Sequence, residues 1–374
     1  MLHENVITTA VARLASIPFR LFNKKPFVPP KKALILHPCC ISQVMFATPL
    51  LAILGQTYSQ SRFDWAVSDW ARPAIAGNPR LTELISTGPS AMQKQSWGSI
   101  QQLITRLQTE QYDTCFIPSR SSLLAFIAWR AGIPQRIGLN VHGRGFAHTI
   151  PVRPPPGEAH AAAIYLSLAK AIGIHTGQST RLPMEFYPSD SARTAVTKRL
   201  IDDLDWLGDV PLVIMHPGGG SGSVYEDKNK QWPAERFTRL GNYLIQQHNA
   251  RILLIGSAHD KSLAKDIAGM MSQSVADWAG NITLSELGAL GEMADLYVGN
   301  DTGPTNIATA VGCPTIAIFG PSDPTKSAPY SLESKVIVLS TNEGTKRPFT
   351  WENNVSVKDA QKAADQLLKR KNSV

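Results

Sequence analysis

The run Val298-Gly-Asn-Asp-Thr-Gly-Pro-Thr-Asn-Ile-Ala-Thr-Ala-Val-Gly-Cys-Pro-Thr-Ile-Ala-Ile-Phe-Gly-Pro-Ser-Asp-Pro324 decides the fold. It reads as strand, polar turn, helix, strand and second polar turn. Leu296 to Asn300 is short and β-rich. Asp301-Thr302-Gly303 opens a helix of small residues, with Thr302 in the N-cap position and Pro304 in the first turn. Thr315-Ile-Ala-Ile-Phe319 is an unbroken apolar run, the pattern of a strand buried on both faces. The whole is a βαβ segment. Its capping hydroxyl and the N–H groups of the helix's first turn face a crevice at the carboxyl end of a parallel sheet, where open α/β folds bind anions. A nucleotide diphosphate fits that place.

Outward from this segment, strands and helices keep alternating. Leu212-Val-Ile-Met-His216 is a buried strand that ends in Pro-Gly-Gly-Gly, and Arg251-Ile-Leu-Leu-Ile-Gly256 is another. Before them, Pro183–Pro188 is extended and Ser189–Leu204 is helical, capped by Ser189 or Asp190. The N-terminal half has the same rhythm. Strands are expected at Ala33–His37, Phe63–Val67, Leu81–Ile85, Thr114–Pro118 and Arg136–Leu139, and helices at Phe46–Tyr58, Trp97–Glu110, Ser121–Ala131 and Glu158–Ile172. Repeated strand-then-helix order predicts α/β architecture with parallel sheets covered on both faces. Four parts follow: a terminal segment over 1–30, a first domain over 31–182, a second over 183–355 and a basic helix over 356–374 that fits either half. The halves are alike in architecture and not in sequence.

A chain of 374 residues exceeds one ordinary domain, and 43% apolar with 18% charged residues describes a globular protein with a large core. The net charge of +8 and pI near 9.3 suit acidic partners without choosing among them. No helix-turn-helix, zinc pattern or aromatic-studded basic strand supports nucleic-acid binding. The four cysteines, Cys39, Cys40, Cys115 and Cys313, lie in apolar or strand-like runs without zinc spacing, so reduced thiols and a cytoplasmic setting are expected. No stretch reaches the roughly 18 apolar residues of a membrane span. Residues 6–25 lack a signal-peptide cleavage pattern, yet mix Leu, Ile and Phe with Arg13, Arg20, Lys24 and Lys25 as an interfacial segment does. Peripheral contact with the inner membrane face through residues 1–28 is one expectation; packing on the protein's own surface is the other.

Two further motifs join the first. His216-Pro-Gly-Gly-Gly-Ser-Gly222 follows a strand, and Gly218, Gly219 and Gly220 let backbone N–H groups approach phosphate closely. It matches neither the Walker A loop nor the G-x-G-x-x-G fingerprint. Lys230 stands just before a helix expected from Trp232-Pro233, where its ammonium reaches a bound phosphate. Asp260, just past a strand end, is placed either to accept ribose hydroxyls or to cap the next helix. Asp203-Leu-Asp205 has a metal-binding spacing but falls in a helical pattern away from any strand end, and reads as a solvated face.

Together these pieces resemble the family 9 glycosyltransferases, the group of lipopolysaccharide heptosyltransferases. The resemblance covers roughly residues 33–330 and rests on Gly299-Asn-Asp-Thr-Gly-Pro304 with Phe319-Gly-Pro-Ser-Asp-Pro324, and on His216-Pro-Gly-Gly-Gly220 with Lys230-Gln-Trp-Pro-Ala-Glu-Arg-Phe237. Thr48-Pro-Leu-Leu51, Tyr112-Asp113, Arg136-Ile-Gly138 and His160-Ala-Ala-Ala-Ile-Tyr-Leu166 are N-terminal landmarks. It implies a GT-B fold: two Rossmann-like domains facing a central cleft, the first taking a lipid-linked glycan acceptor and the second a nucleotide-sugar donor, ADP-heptose. It implies that Asp301, Thr302 and Gly303 meet the donor diphosphate, Lys230 the phosphate and Asp260 the ribose. Inverting transfer without a metal or other cofactor is expected, with positive groups and helix N-termini stabilising the departing diphosphate.

Two positions depart from the family pattern. The aspartate that serves as general base after the first strand is replaced here by Gln43, within Cys39-Cys-Ile-Ser-Gln-Val44. A neutral amide cannot take the acceptor proton, and general base catalysis typically contributes about 10²–10⁴-fold. The histidine expected three residues after the Asp-Thr-Gly turn is Asn306, which keeps hydrogen-bonding capacity without charge. Three readings stay open. The base has moved to His37 or Asp69, both near strand ends; the acceptor is itself acidic or phosphorylated; or the protein binds nucleotide sugar or glycan without transferring it.

Overall fold

The computed structural model describes residues 26–89, 92–158, 160–175, 182–220, 228–331, 335–340 and 349–371. The basic amphipathic pattern over residues 6–25 therefore lies outside the described residues, as do Ser221 and Gly222. The chain divides into two compact units, Met1–Leu182 and Pro183–Val374.

In the first unit, β1 (Lys32–Leu36), β2 (Arg62–Val67), β3 (Leu81–Ser86), β4 (Thr114–Ile117), β5 (Gln135–Leu139) and β6 (Ile150–Val152) form one parallel sheet in the order β3-β2-β1-β4-β5-β6. In the second, β7 (Leu212–His216), β8 (Arg251–Leu254), β9 (Ala276–Asp277), β10 (Leu296–Asn300), β11 (Thr315–Ile318) and β12 (Val336–Leu339) repeat the order as β12-β11-β10-β7-β8-β9. Each sheet has the 3-2-1-4-5-6 connectivity of a doubly wound Rossmann fold. The strand order therefore reverses between β1 and β4 and between β7 and β10, the places where such sheets open a ligand crevice. The central strands are apolar and fully buried because helices cover both faces.

Helices α1 (Ile41–Thr57), α2 (Trp97–Thr109), α3 (Ser122–Arg130) and α4 (Ala161–Lys170) flank the first sheet. The second is flanked by α5 (Asp190–Leu204), α6 (Ala234–His248), α7 (Lys261–Met270), α8 (Leu284–Met293), α9 (Gly303–Ala310), the short α10 (Pro324–Ser327) and α11 (Val357–Lys371). The last of these packs on α6 and β11 within the second unit. Its Ala360, Ala363, Ala364, Leu367 and Leu368 recur at helical spacing and join that unit's core.

Several elements differ from expectation for identifiable reasons. Helix α1 begins at Ile41, five residues before the expected Phe46, so Gln43 sits in its first turn. Pro49 lies inside this helix and lacks the N–H that would bond the carbonyl of Met45; the hydroxyl of Thr48 bonds that carbonyl instead, at 2.7 Å. Helix α6 begins at Ala234, with Pro233 as its N-cap, two residues later than the Trp232 start. The two aspartates of Asp203-Leu-Asp205 are exposed, as expected, and each also has a structural part: Asp203 accepts the indole N–H of Trp278 at 2.8 Å, and Asp205 closes α5 in a left-handed conformation.

Candidate functional site

At the carboxyl ends of β7 and β10, three loops are tied together by one amide. Asn300, fully buried as the last residue of β10, donates through Nδ2 to the carbonyls of Pro217 (2.9 Å) and Gly218 (3.1 Å). Its Oδ1 accepts the backbone N–H of Trp232 at 3.1 Å. The glycine loop, the turn carrying Lys230 and the start of α9 thus have a common anchor. Asp301 follows, and its carboxylate accepts from the Lys230 ammonium at 2.9 Å while only 8% of that side chain is exposed. The pair fixes the ammonium beside the α9 N-terminus, where helix geometry leaves N–H groups without intrahelical partners.

Thr302 occupies the N-cap position of α9, but its hydroxyl makes no capping bond, contrary to expectation. It lies 3.3 Å from His216 Nδ1 and 3.3 Å from the Thr305 hydroxyl, so this end of the helix is held through His216 at the end of β7 and Thr305 of its own first turn rather than by a cap. Burial lowers the pKa of His216, against the pull of nearby Asp260, and the ring is neutral at physiological pH. Asn306 turns inward: it is 1% exposed and donates to the Thr302 carbonyl at 3.2 Å.

Asp260 is also buried. Its Oδ2 accepts from the N–H and hydroxyl of Ser257, each at 2.7 Å, closing a capping box in the turn after β8. The other oxygen, Oδ1, stands against the glycine loop, and a Cβ on Gly218 would lie 2.6 Å from it. Gly220 has φ +82°, and a Cβ there would press on Thr302 at 3.1 Å. Glycine is required at 218 by space and at 220 by conformation. The structure gathers Gly218, Gly220, Lys230, Asp260, Asp301 and Thr302 at one sheet edge.

The matching edge of the first unit holds His37, which follows β1, and Gln43. Gln43 Oε1 accepts the Tyr165 hydroxyl at 2.5 Å. The His37 ring meets the Tyr165 ring edge-on with centroids 5.2 Å apart, and neither ring nitrogen has a side-chain partner. Burial pulls the His37 pKa down to about 4, with the backbone of Gln43 opposing it, so the ring is uncharged near neutrality. Asp69 follows β2, is exposed, and accepts the Ser86 hydroxyl through Oδ1 at 2.5 Å. Arg120, exposed beyond β4, acts electrostatically on Tyr165.

Among the described residues, the one group of carboxylates close enough to hold a metal is Asp64, Glu83 and Glu110. Ion pairs with Arg62, Arg106 and Lys32, and the Tyr112 hydroxyl, already occupy it. It brings the starts of β1 and β2 together, at the opposite end from His37.

The family model described as glycosyltransferase family 9 (heptosyltransferase) matches residues 100–355. The chain belongs to glycosyltransferase family 9. It is 26% identical over 318 residues to lipopolysaccharide heptosyltransferase 2 of Escherichia coli K12, covering 83% of this chain and 88% of that protein. It is likewise 26% identical to lipooligosaccharide heptosyltransferase 2 of Haemophilus influenzae, over 83% of this chain and 89% of that one. Among solved structures, a family 9 glycosyltransferase of Veillonella parvula superposes with TM-score 0.77 at 20% identity, covering 91% of this chain and 97% of that one. E. coli ADP-heptose LPS heptosyltransferase II gives 0.74 at 22%, covering 91% and 99%. The fold is of the GT-B class.

For a family 9 glycosyltransferase, several sequence landmarks prove to have architectural work. Asp113 accepts the N–H groups of Lys31 and Lys32, and buried Arg136 donates to the carbonyls of Ala147 and Ile133. Tyr165, Asn300 and Arg120 are absent from the sequence-derived site. Tyr165 lies within a recognised landmark, and Asn300 within the most specific one; no sequence signal singles out Arg120.

Proposed function

We propose that this protein transfers a heptose from ADP-heptose onto a lipopolysaccharide core or related lipid-linked glycan, with inversion and without a metal. The observation that carries the reading is the Lys230–Asp301 pair, set beside the glycine loop and the α9 N-terminus at the β7/β10 switch point. The second unit then holds the donor. The diphosphate lies against Gly218, Gly219 and Gly220, Gly303 opens the helix whose N–H groups face it, and Asp260 Oδ1 remains to accept from the ribose. Asn306 acts indirectly, by holding the Thr302 carbonyl.

The first unit takes the acceptor. Its hydroxyl oxygen attacks the anomeric carbon as the bond to the β-phosphate oxygen breaks, and the electron pair leaves with ADP. A single displacement inverts the centre. Lys230 and the helix N–H groups stabilise the charge gathering on the leaving group. The acceptor proton passes to Asp69, a carboxylate oriented by Ser86. His37, buried against Tyr165 with its pKa pulled down to about 4, is the alternative base. Arg120 suits an acidic or phosphorylated acceptor. A cytoplasmic setting at the inner membrane face, with residues 1–28 touching lipid, completes the reading; among the described residues no helix is long and apolar enough to cross a membrane.

One observation favours a second reading, nucleotide-sugar binding without transfer: the base position holds Gln43, locked by Tyr165. The test is purified protein with ADP-heptose and heptose-deficient lipopolysaccharide, following ADP release and glycan mass. A gain of one heptose, lost about 10²–10⁴-fold in Asp69→Asn but not in His37→Gln, supports transfer through Asp69. Saturable ADP-heptose binding with no mass gain supports the second reading.

A further inference from the structure

Cys39 and Cys40 stand at the other ligand crevice, where the strand order reverses between β1 and β4. Adjacent residues normally direct their side chains apart, yet here Cys39 Sγ and Cys40 Sγ are 3.4 Å from each other, and both residues are half-buried rather than sealed in the core. The backbone explains the approach. Cys40 is the N-cap of α1, with φ −69° and ψ 159°, and no side chain caps this helix. The Cys39 N–H bonds the His37 carbonyl at 3.0 Å, and the Cys39 carbonyl accepts the Ser68 hydroxyl at 3.2 Å, which holds the turn. Two sulfurs are therefore presented together at a helix N-terminus, which favours the anionic form of a thiol. The contact between them pulls Cys40 down to about 7, helped by the Gln43 backbone, and the same contact pushes Cys39 up.

We propose that Cys39 and Cys40 form a bidentate site for one soft, thiophilic centre, such as trivalent arsenic or a divalent cation of the zinc group. For metal–sulfur bonds of about 2.3 Å, the observed separation corresponds to an angle at the metal of about 95°, within the range of pyramidal and tetrahedral centres. Chelation thus needs no movement of the sulfurs, whereas a disulfide would require them to close to about 2.05 Å. Two thiolates select soft ions over magnesium or calcium. The remaining positions are left to water or small ligands, because among the described residues no histidine or carboxylate lies close enough to complete a set with the two sulfurs. With an organoarsenical oxide, two As–S bonds form, both thiol protons leave with the oxide oxygen as water, and no electron is transferred. Gln43 lies in the same first turn of α1, so an occupant closes off the acceptor edge; this consequence rests on the function proposed above.

Phenylarsine oxide and Cd²⁺ are the probes, with Mg²⁺ as the hard-ion control, on the full chain. The expected result is one arsenic per protein by intact mass, mapped to the peptide containing residues 39 and 40. Cys39→Ser and Cys40→Ser should each weaken binding about 10²–10⁴-fold, the gain that a second tethered ligand supplies. In the unmutated protein, Cd²⁺ but not Mg²⁺ should protect Cys40 from maleimide, a readout independent of how the variants fold. Absence of arsenic, its appearance on Cys115 or Cys313, undiminished binding in both variants, or no protection by Cd²⁺ would overturn the site. Loading that abolishes heptose transfer while ADP affinity is unchanged supports the acceptor-edge placement. Stoichiometric loading of a protein that transfers no sugar would retain the site and remove the transferase reading.

Discussion

Lys230 and Asp301 form an ion pair whose geometry suits a charged ligand. An ammonium on a flexible stem loses rotamer freedom when it grips phosphate, and pairing with a mostly buried carboxylate removes that freedom beforehand. Lys230→Ala is expected to lower kcat/KM by about 10²–10³, the usual cost of deleting one group aimed at developing negative charge. It also strands the Asp301 carboxylate, so Lys230→Ala with Asp301→Asn should recover stability but not turnover. Comparing urea midpoints with initial rates separates the two effects; equal recovery of both would mean that the pair is only structural. Asn300 makes the complementary case. Asn300→Leu leaves the Trp232 N–H and two carbonyls without their side-chain partner in the interior. At about 1–3 kcal/mol per orphaned group, a lowered urea midpoint and weakened ADP binding are expected together.

The glycine loop is an element whose shape is dictated by what crowds it. Gly218→Ala would drive a methyl into Asp260 Oδ1, and Asp260 cannot retreat while Ser257 holds its other oxygen. Expected outcomes are a loss of about 1–3 kcal/mol in folding stability and ADP affinity reduced more than tenfold, read by urea unfolding and calorimetric titration. Unaltered affinity would place the diphosphate elsewhere. The sequence marks the buried strand by its apolar run, but the consecutive glycines alone fit a mere flexible loop equally well and gain meaning only beside Lys230 and the Asp301 turn. Its limits are equally physical. The short edge strands β6, β9 and β12 are half-exposed and carry no clear alternation. The early start of α1 carries no capping signal, since Cys40 at the N-cap makes no side-chain cap bond, and Pro49 is accommodated within the helix by the Thr48 hydroxyl taking up the Met45 carbonyl. The Tyr165–Gln43 contact joins residues 122 apart in the chain, a pairing that no local pattern encodes. The individual residues at the β7/β10 edge are legible; the amide that ties them together is not.

At the scale of the molecule, burial of histidine is expected to make both units acid-labile by the same mechanism. Burial holds His37 at about 4 and His148 at about 3, in the first unit, and lowers His216 in the second, against about 6.5 for histidine in an unfolded chain. The folded state therefore binds fewer protons than the unfolded state below that value. Each such group leaves stability untouched above pH 6.5 and withdraws it as pH falls towards the folded pKa. For His37 the full loss is about 3 kcal/mol, a sizeable part of the roughly 5–15 kcal/mol that holds a domain folded. Carboxylates held low, such as Asp323 at about 2, act in the same direction but only once the pH falls below their unfolded values near 4. Between pH 6.5 and about 4.5 the slope accordingly belongs to histidine. Urea midpoints measured across this window should fall steadily with acidification. His37→Gln should flatten the slope by about 1.4 kcal/mol per pH unit, one proton's worth. Because two of the three groups sit in the first unit, hydrogen exchange at pH 5 should show its amides losing protection before those of the second. A flat profile down to pH 4.5, or first loss of protection in the second unit, would mean that these rings take up protons in the folded protein and that the crevice edges admit water there.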